Sequence, residues 1–373
     1  MKLFIVINED CFFLSHRLPL AKAAIEKGYD VTLIAKDTGR KQEVLDAGVK
    51  FLDFPVNPTG MSPKQELKTL RWLIKLFRSE WPDVIHLVGL KCMLWGALAG
   101  KLTRVPVVIN AVSGLGVLFS DENLGVVPRT MLAIQRFSNR RKNAFLIFQN
   151  NEDKALLAKY RVMKEDQCRF IKGSGVDLSE YCYTPEPEDG KVIVIYTARM
   201  VREKGICDLA GAAGLLKGEY EGTAEFWLCG GLHANPKALK EDEVRAMCDG
   251  DYIQWLGFRK DVCDLLKKSH IVAFPSYYRE GVPKSLIEAS AVGRPIITCD
   301  SVGCKDVVED GVNGFLIQPK DVQDLADRLK QLIDSPALRK SMGFKSREFA
   351  ERDFSIEGVV EKHMELYKLG EHR

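Results

Sequence analysis

A chain of 373 residues, 46% apolar and 28% charged, has the make-up of a globular protein long enough for two domains, which excludes a disordered or fibrous class. Its ten cysteines are scattered without a C-x-x-C pair, excluding a disulfide framework or zinc ribbon and suiting a reducing compartment. The net charge of +3 hides an asymmetry: residues 1–150 hold 21 Lys/Arg against 13 Asp/Glu, the remainder 33 against 38, so the first half is expected to face something anionic.

In chain order, short apolar runs alternate with longer amphipathic stretches. "LFIVIN" reads as a strand; it is too short for a secretory signal, so a cytoplasmic location is expected. A helical pattern over 18–27, the strands "YDVTLIA" and "VKFLDF", a helix over 64–79 and the strand "DVIHLV" follow. "KCMLWGALAGKL" reads as helix, "VPVVIN" as strand, "PRTMLAIQRFSNRRK" as helix and "AFLIFQ" as strand. Nothing approaches the roughly 20 apolar residues of a membrane span. "YCYTPEPEDGK", 181–191, breaks the alternation with two prolines and three acids and reads as a linker. Then come "VIVIYTA", a helix over 205–216, "AEFWLC", a helix, "YIQWLG", a helix, "HIVAFPS", the helix "KSLIEASAVG", "PIITC" and "GFLIQ". Helical patterns over 322–333 and 356–368 finish the chain.

This alternation predicts an α/β fold of two Rossmann-like domains, each with a mostly parallel sheet, facing a cleft. The expected domains are 1–180, a linker over 181–191, 192–355, and a C-terminal helix over 356–373 crossing back to the first domain. Ligands of such sheets bind beyond the carboxyl ends of the strands.

The richest stretch is "YYREGVPKSLIEASAVGRP", 277–295. A strand ends before it and a helix opens within it. Pro283 suits the first helical turn, and Gly281 permits close backbone approach. Free N–H groups around Lys284 and Ser285 form an anion site. Glu288 lies among Leu286, Ile287, Ala289 and Ala291, so a buried setting is expected, and a buried acid needs a partner such as a hydroxyl-rich ligand. The plainer reading makes Glu280 a helix cap and Glu288 a surface acid. "TARMVREKG" sets Arg199, Arg202 and Lys204 at a strand's carboxyl end, where a phosphate would lie. "LCGG" places Gly230 and Gly231 after another strand, and "GFRKDV" places Arg259 on a further strand-to-helix loop. "DGD", 249–251, has the form of a metal-binding D-x-D but precedes a strand as a turn would.

Together these motifs resemble the family-4 glycosyltransferases, retaining enzymes of GT-B fold, over nearly the whole chain. The resemblance implies a nucleotide-sugar site. Glu280, with the backbone of Gly281 and Val282, would hold the donor sugar. Glu288 would hold the ribose, Arg199 and Lys204 would grip the diphosphate, and the Arg259 loop would border the base. Catalytic roles are thus expected for Arg199, Lys204 and Glu280. Donor binding is expected of Gly230, Gly231, Arg259, Gly281, Val282, Pro283, Lys284, Ser285 and Glu288. No cofactor and no metal are expected.

The first half departs from the family pattern. "INEDCFFLSHRLPLAKA" lacks a Gly-Gly pair and instead sets His16 and Arg17 at a loop-to-helix junction; "INAVSGLGVLF" has Ser113 and Gly114 where members carry a histidine. These stretches, with "DVIHLVGLKCMLWGALA", resemble bacterial surface-polysaccharide and glycan-assembly transferases such as the polyprenol-linked N-acetylgalactosaminyltransferases. The resemblance implies a uridine-diphosphate N-acetylhexosamine donor and an undecaprenyl-diphosphate-linked acceptor, held by His16, Arg17, His86, Lys91, Ser113 and Gly114. Alternatives are a guanosine-linked donor, a non-lipid acceptor and a catalytically silent scaffold. Arg129, Arg136, Arg140, Arg141 and Lys142 beside Met131, Leu132 and Ile134 make a basic amphipathic helix that suits the cytoplasmic face of an inner membrane. Its plainer reading is a solvated helix with a core-facing stripe. No nucleic-acid partner is expected, since no basic run interleaves with aromatics.

Overall fold

The structure, a computed structural model, describes residues 1–56, 62–119, 124–232 and 238–371. The chain forms two compact units: 1–174 with 356–373, and 175–355.

In the first unit seven strands lie in the order β3-β2-β1-β4-β5-β6-β7. They are β1 (Lys2–Glu9), β2 (Asp30–Lys36), β3 (Lys50–Asp53), β4 (Val84–Val88), β5 (Val107–Val112), β6 (Ala144–Phe148) and β7 (Cys168–Phe170). Every pairing is parallel. The period of a strand explains the two layers of helices. Leu3, Ile5 and Ile7 of β1 point to one apolar cluster, and Phe4 and Val6 to another, where Leu73, Phe77, Met93 and Ala97 cover them. The helix Ile356–Lys368 brings Val359, Met364, Leu366 and Tyr367 into the first cluster. The C-terminal segment thus closes one face of the first sheet.

The second unit holds six parallel strands in the order β10-β9-β8-β11-β12-β13. They are β8 (Val192–Thr197), β9 (Ala224–Cys229), β10 (Ile253–Gly257), β11 (Ile271–Phe274), β12 (Ile296–Cys299) and β13 (Gly314–Ile317). One continuous apolar cluster surrounds them.

Two local expectations need correction. The first change of unit falls between Ser174 and Gly175, ahead of the supposed linker. Residues 181–191 are strapped to the second unit: Thr184 N donates to Val292 O, Arg294 Nη1 to Thr184 O at 2.7 Å, and Arg339 Nε to the buried Glu186 at 2.7 Å. Arginines that reach across to carbonyls and a carboxylate turn an apparently free segment into structure. The residues before His16 are helical, Asp10–His16, because buried Phe13 anchors that turn, so His16 and Arg17 join two helices rather than a loop and a helix. A further helix that the sequence pattern does not announce, Pro336–Asp353, buries Arg339, Gly343 and Ser346 alongside Met342 and Ala350, so its inward face is a mixed rather than an apolar stripe. No helix among the described residues is long and apolar enough to cross a membrane.

Candidate active site

In the second sheet the chain runs from β8 outward to β9 and β10, then returns to add β11 on the other side of β8. The loops leaving β8 and β11 therefore part company at a crevice, the switch point where open α/β sheets bind ligands. Both key motifs emerge there. The loop after β8 carries Arg199 and the short 3-10 turn Arg202–Lys204; the loop after β11 carries Glu280 and leads to the helix Lys284–Val292.

Lys204 and Glu280 meet. The ammonium lies 2.5 Å from one carboxylate oxygen and 2.6 Å from the other, with side chains 9% and 18% exposed. Phe274 and Tyr278 place ring faces 5.2 and 5.5 Å from the ammonium, which favours a cation there. Ser276, fully buried, donates its hydroxyl to Glu280 at 3.3 Å. The two loops are also tied through backbone, since Tyr277 N and Tyr278 N both donate to Glu203 O. Gly205 ends the Lys204 turn at φ 79°; a Cβ there would stand 2.0 Å from Pro275 O. Gly230 is as tightly constrained, with a Cβ falling 1.7 Å from Ala198 O, in the loop that leads to Arg199. Gly231 O accepts from Met200 N at 3.0 Å. Arg199 is exposed at this same edge. Arg259 leaves the end of β10 and is held by Asp261 at 2.7 Å, which raises its pKa.

Pro283 is the N-cap of the helix Lys284–Val292, whose first turn holds no acid. Gly281, Val282 and Pro283 are buried, and Lys284 and Ser285 half-buried. The backbone N–H groups of this turn make a positive pole against the crevice. Glu288, one turn further on, is 12% exposed in its side chain and lies 3.6 Å from Lys284. Burial raises its carboxyl pKa, while Lys284 and a hydrogen bond from Tyr181 oppose the rise. The plainer reading of a surface acid fails. The partner that the sequence left to a ligand is supplied in part by Tyr181, from the segment taken as a linker. Ser276, Tyr278 and Tyr181 were missed. The one available signal was that Ser276 closes the strand run "HIVAFPS" four residues before Glu280.

On the first unit the expected acceptor residues divide. Ser113 and Gly114 follow β5 at its carboxyl end, and Lys91 follows β4; all are half-buried. Lys91 is held by Glu66 at 2.8 Å, and Glu66 also takes the Trp95 indole N–H, so the ammonium arrives with a counter-ion. His16 is half-buried with Nδ1 2.6 Å from the Ser15 hydroxyl. His86 and Arg17 need correction. His86 sits mid-strand beside Ile5 and Ile109, fully buried, with Nδ1 2.6 Å from the Tyr367 hydroxyl and its ring against His363. Burial, then His363 and Arg17, hold its pKa well below the ordinary value. Arg17 is 3% exposed, and burial lowers its pKa while Tyr367 raises it. The C-terminal helix covers both residues, so they form an interior polar cluster rather than a rim open to an acceptor.

The D-x-D stretch is a turn. Asp249 accepts from Asp251 N and Ile253 N and from Lys217, and these bonds, against the cost of burial, keep its carboxyl pKa lowered.

Comparison with known proteins assigns one family to each half. The family described as "Glycosyl transferase 4-like" matches residues 2–151, and "Glycosyl transferases group 1" matches residues 191–335. The Campylobacter jejuni N,N'-diacetylbacillosaminyl-diphospho-undecaprenol alpha-1,3-N-acetylgalactosaminyltransferase is 26% identical, covering 95% of this chain and 97% of its own length. An Escherichia coli UDP-Gal:alpha-D-GlcNAc-diphosphoundecaprenol alpha-1,3-galactosyltransferase is 25% identical over 91% of this chain and 89% of its own. Among solved structures, Anabaena Alr3699/HepE in complex with UDP superposes with a TM-score of 0.78 at 17% identity, covering 99% of this chain and 100% of that one.

Proposed function

From the premise that the chain belongs to the glycosyltransferases, its first half glycosyl transferase 4-like and its second of group 1, we propose that it moves an N-acetylhexosamine such as N-acetylgalactosamine from uridine diphosphate to an undecaprenyl-diphosphate-linked sugar. The observation that carries this reading is the Lys204–Glu280 pair at the switch point of the second sheet, beside an acid-free helix N-terminus. A leaving diphosphate gains negative charge as its bond to the sugar breaks. Lys204, Arg199 and the first-turn N–H groups meet that charge with fixed positive poles, so the reaction as proposed requires no metal. Glu280 holds donor hydroxyls and orients Lys204, and Glu288 holds the ribose.

The proposed chemistry retains anomeric configuration. The acceptor hydroxyl oxygen bonds to the anomeric carbon on the face that the diphosphate leaves. The bond from that carbon to the diphosphate oxygen breaks, and the hydroxyl proton passes to the departing diphosphate. No side-chain base is needed, which suits a first unit whose histidine at the fifth strand is replaced by Ser113 and Gly114. Ser113, Gly114, Lys91 and His16 are the proposed acceptor contacts. The work is placed at the cytoplasmic face of the inner membrane, supported by the basic first half and by exposed Val126, Val127 and Phe137 on the helix that carries Arg129 and Arg136.

The test is turnover of uridine-diphosphate N-acetylgalactosamine with an undecaprenyl-diphosphate-linked sugar, with and without chelator, and the product anomer read by NMR. An α-linked product formed equally in chelator is expected. A β-linked product removes retention; a chelator-dependent rate removes the metal-free step. Turnover with uridine-diphosphate galactose alone moves the donor toward the sugar named in the Escherichia coli relative.

A further inference from the structure

We propose that the first unit carries a phosphate-binding site on the amino-terminal edge of its sheet, the edge opposite Lys91 and Ser113. An open cavity of about 510 Å³ lies there, lined by Arg136, Arg140, Lys142, Arg161, Lys164 and a single acid, Asp166, among others. The cations converge from two elements. Arg136 to Lys142 end the helix Val126–Asn139 and lead into β6; Arg161 and Lys164 follow the helix Asn151–Lys159 and lead into β7.

Among the described residues none of these five cations forms an ion pair, whereas the neighbouring Lys154 and Glu165 pair with each other at 2.5 Å. Two helix carboxyl ends face this edge, and together their dipoles are worth about one negative charge. Five cations exceed that several-fold. The neighbouring Lys101 caps the carbonyls of Phe137 and Arg140, and its pKa is lowered chiefly by burial, with Arg141 and Arg140 adding to the fall. The backbone is also held against preference. Arg161 has φ 52°, where glycine or asparagine sits at less cost, and it lines the same cavity. Planar forks of this kind recognise phosphate through paired bonds, and the ring of cations suits a diphosphate better than a lone carboxylate.

This site does not rest on the transferase reading, because a chain without donor activity would still show it. The phosphate has two possible sources, a soluble diphosphate or a lipid headgroup, and the test separates them. Inorganic pyrophosphate is titrated into the full chain by calorimetry. In parallel, phosphatidylcholine vesicles with and without phosphatidylglycerol are floated with it. The variant is Arg140→Ala/Lys142→Ala/Arg161→Asn, built on exposed side chains, the asparagine easing the left-handed backbone. The Arg199→Ala/Lys204→Ala variant is the control for pyrophosphate bound at the second unit. Loss of pyrophosphate affinity by about tenfold or more in the first variant but not in the control supports the site and a soluble ligand. Loss of vesicle binding alone supports it with a lipid source. Wild-type chain that binds neither, or a triple variant that binds both as wild type does, overturns it.

Discussion

Lys204 and Glu280 neutralise each other with little water around them, and removal of either leaves a charge without its partner. Lys204→Ala should lower kcat by about 10²-fold or more, the loss seen when a charge-stabilising donor is removed. It should also lower Tm, and an unchanged rate in steady-state kinetics would take Lys204 off the diphosphate. Glu288 makes a second prediction with a defined sign. Its folded pKa is raised above the ordinary 4.5, mainly by burial. Below that ordinary value the acid is neutral in both states and costs nothing. As pH climbs through the raised value the folded state must ionise a buried carboxyl, and stability falls. Glu288→Gln should therefore raise Tm more at pH 8 than at pH 4 while weakening nucleotide binding in calorimetry; a pH-independent Tm difference would contradict the assignment. Both acids were legible because their motif is contiguous in sequence. Ser276, Tyr278 and Tyr181 were not, since what gives them a role is proximity made by the fold.

Among the elements, the β9 turn and the C-terminal helix carry the clearest consequences. Gly230→Ala would drive a methyl into Ala198 O and push the loop that ends in Arg199, so activity should fall about as far as for Arg199→Ala, with the loss measured in kcat. A near-normal rate would show that the loop yields without cost. The helix Ile356–Lys368 buries His363 and covers His86, both with lowered pKa, His363 to about 3. In the unfolded chain they take up protons near 6.5, so stability should be full above that pH and drain as pH falls from 6.5 toward 3. His363→Gln should flatten that acid limb in urea melts; an unchanged limb would place the acid sensitivity elsewhere. This helix was legible from its apolar spacing. Pro336–Asp353 was not, because Arg339, Gly343 and Ser346 line its inward face and hide the period.

For the whole molecule, strand-helix alternation read twice along the chain foretold two parallel sheets, and the C-terminal crossing back was legible too. The apparent break at 181–191 misled because composition alone does not report the arginines that bind it down from far along the chain. The charge asymmetry was visible in a count, but the gathering of Arg136, Arg140 and Lys142 with Arg161 and Lys164 around one cavity needed the topology. The second unit is proposed as a nucleotide-sugar site built from Lys204, Glu280 and a helix N-terminus. The most direct test is calorimetric titration of uridine diphosphate, in chelator, into wild type and the Lys204→Ala variant. Tight binding by wild type, weakened about tenfold or more by the substitution, is the predicted result; binding that is absent in wild type, or equal in both proteins, would contradict it.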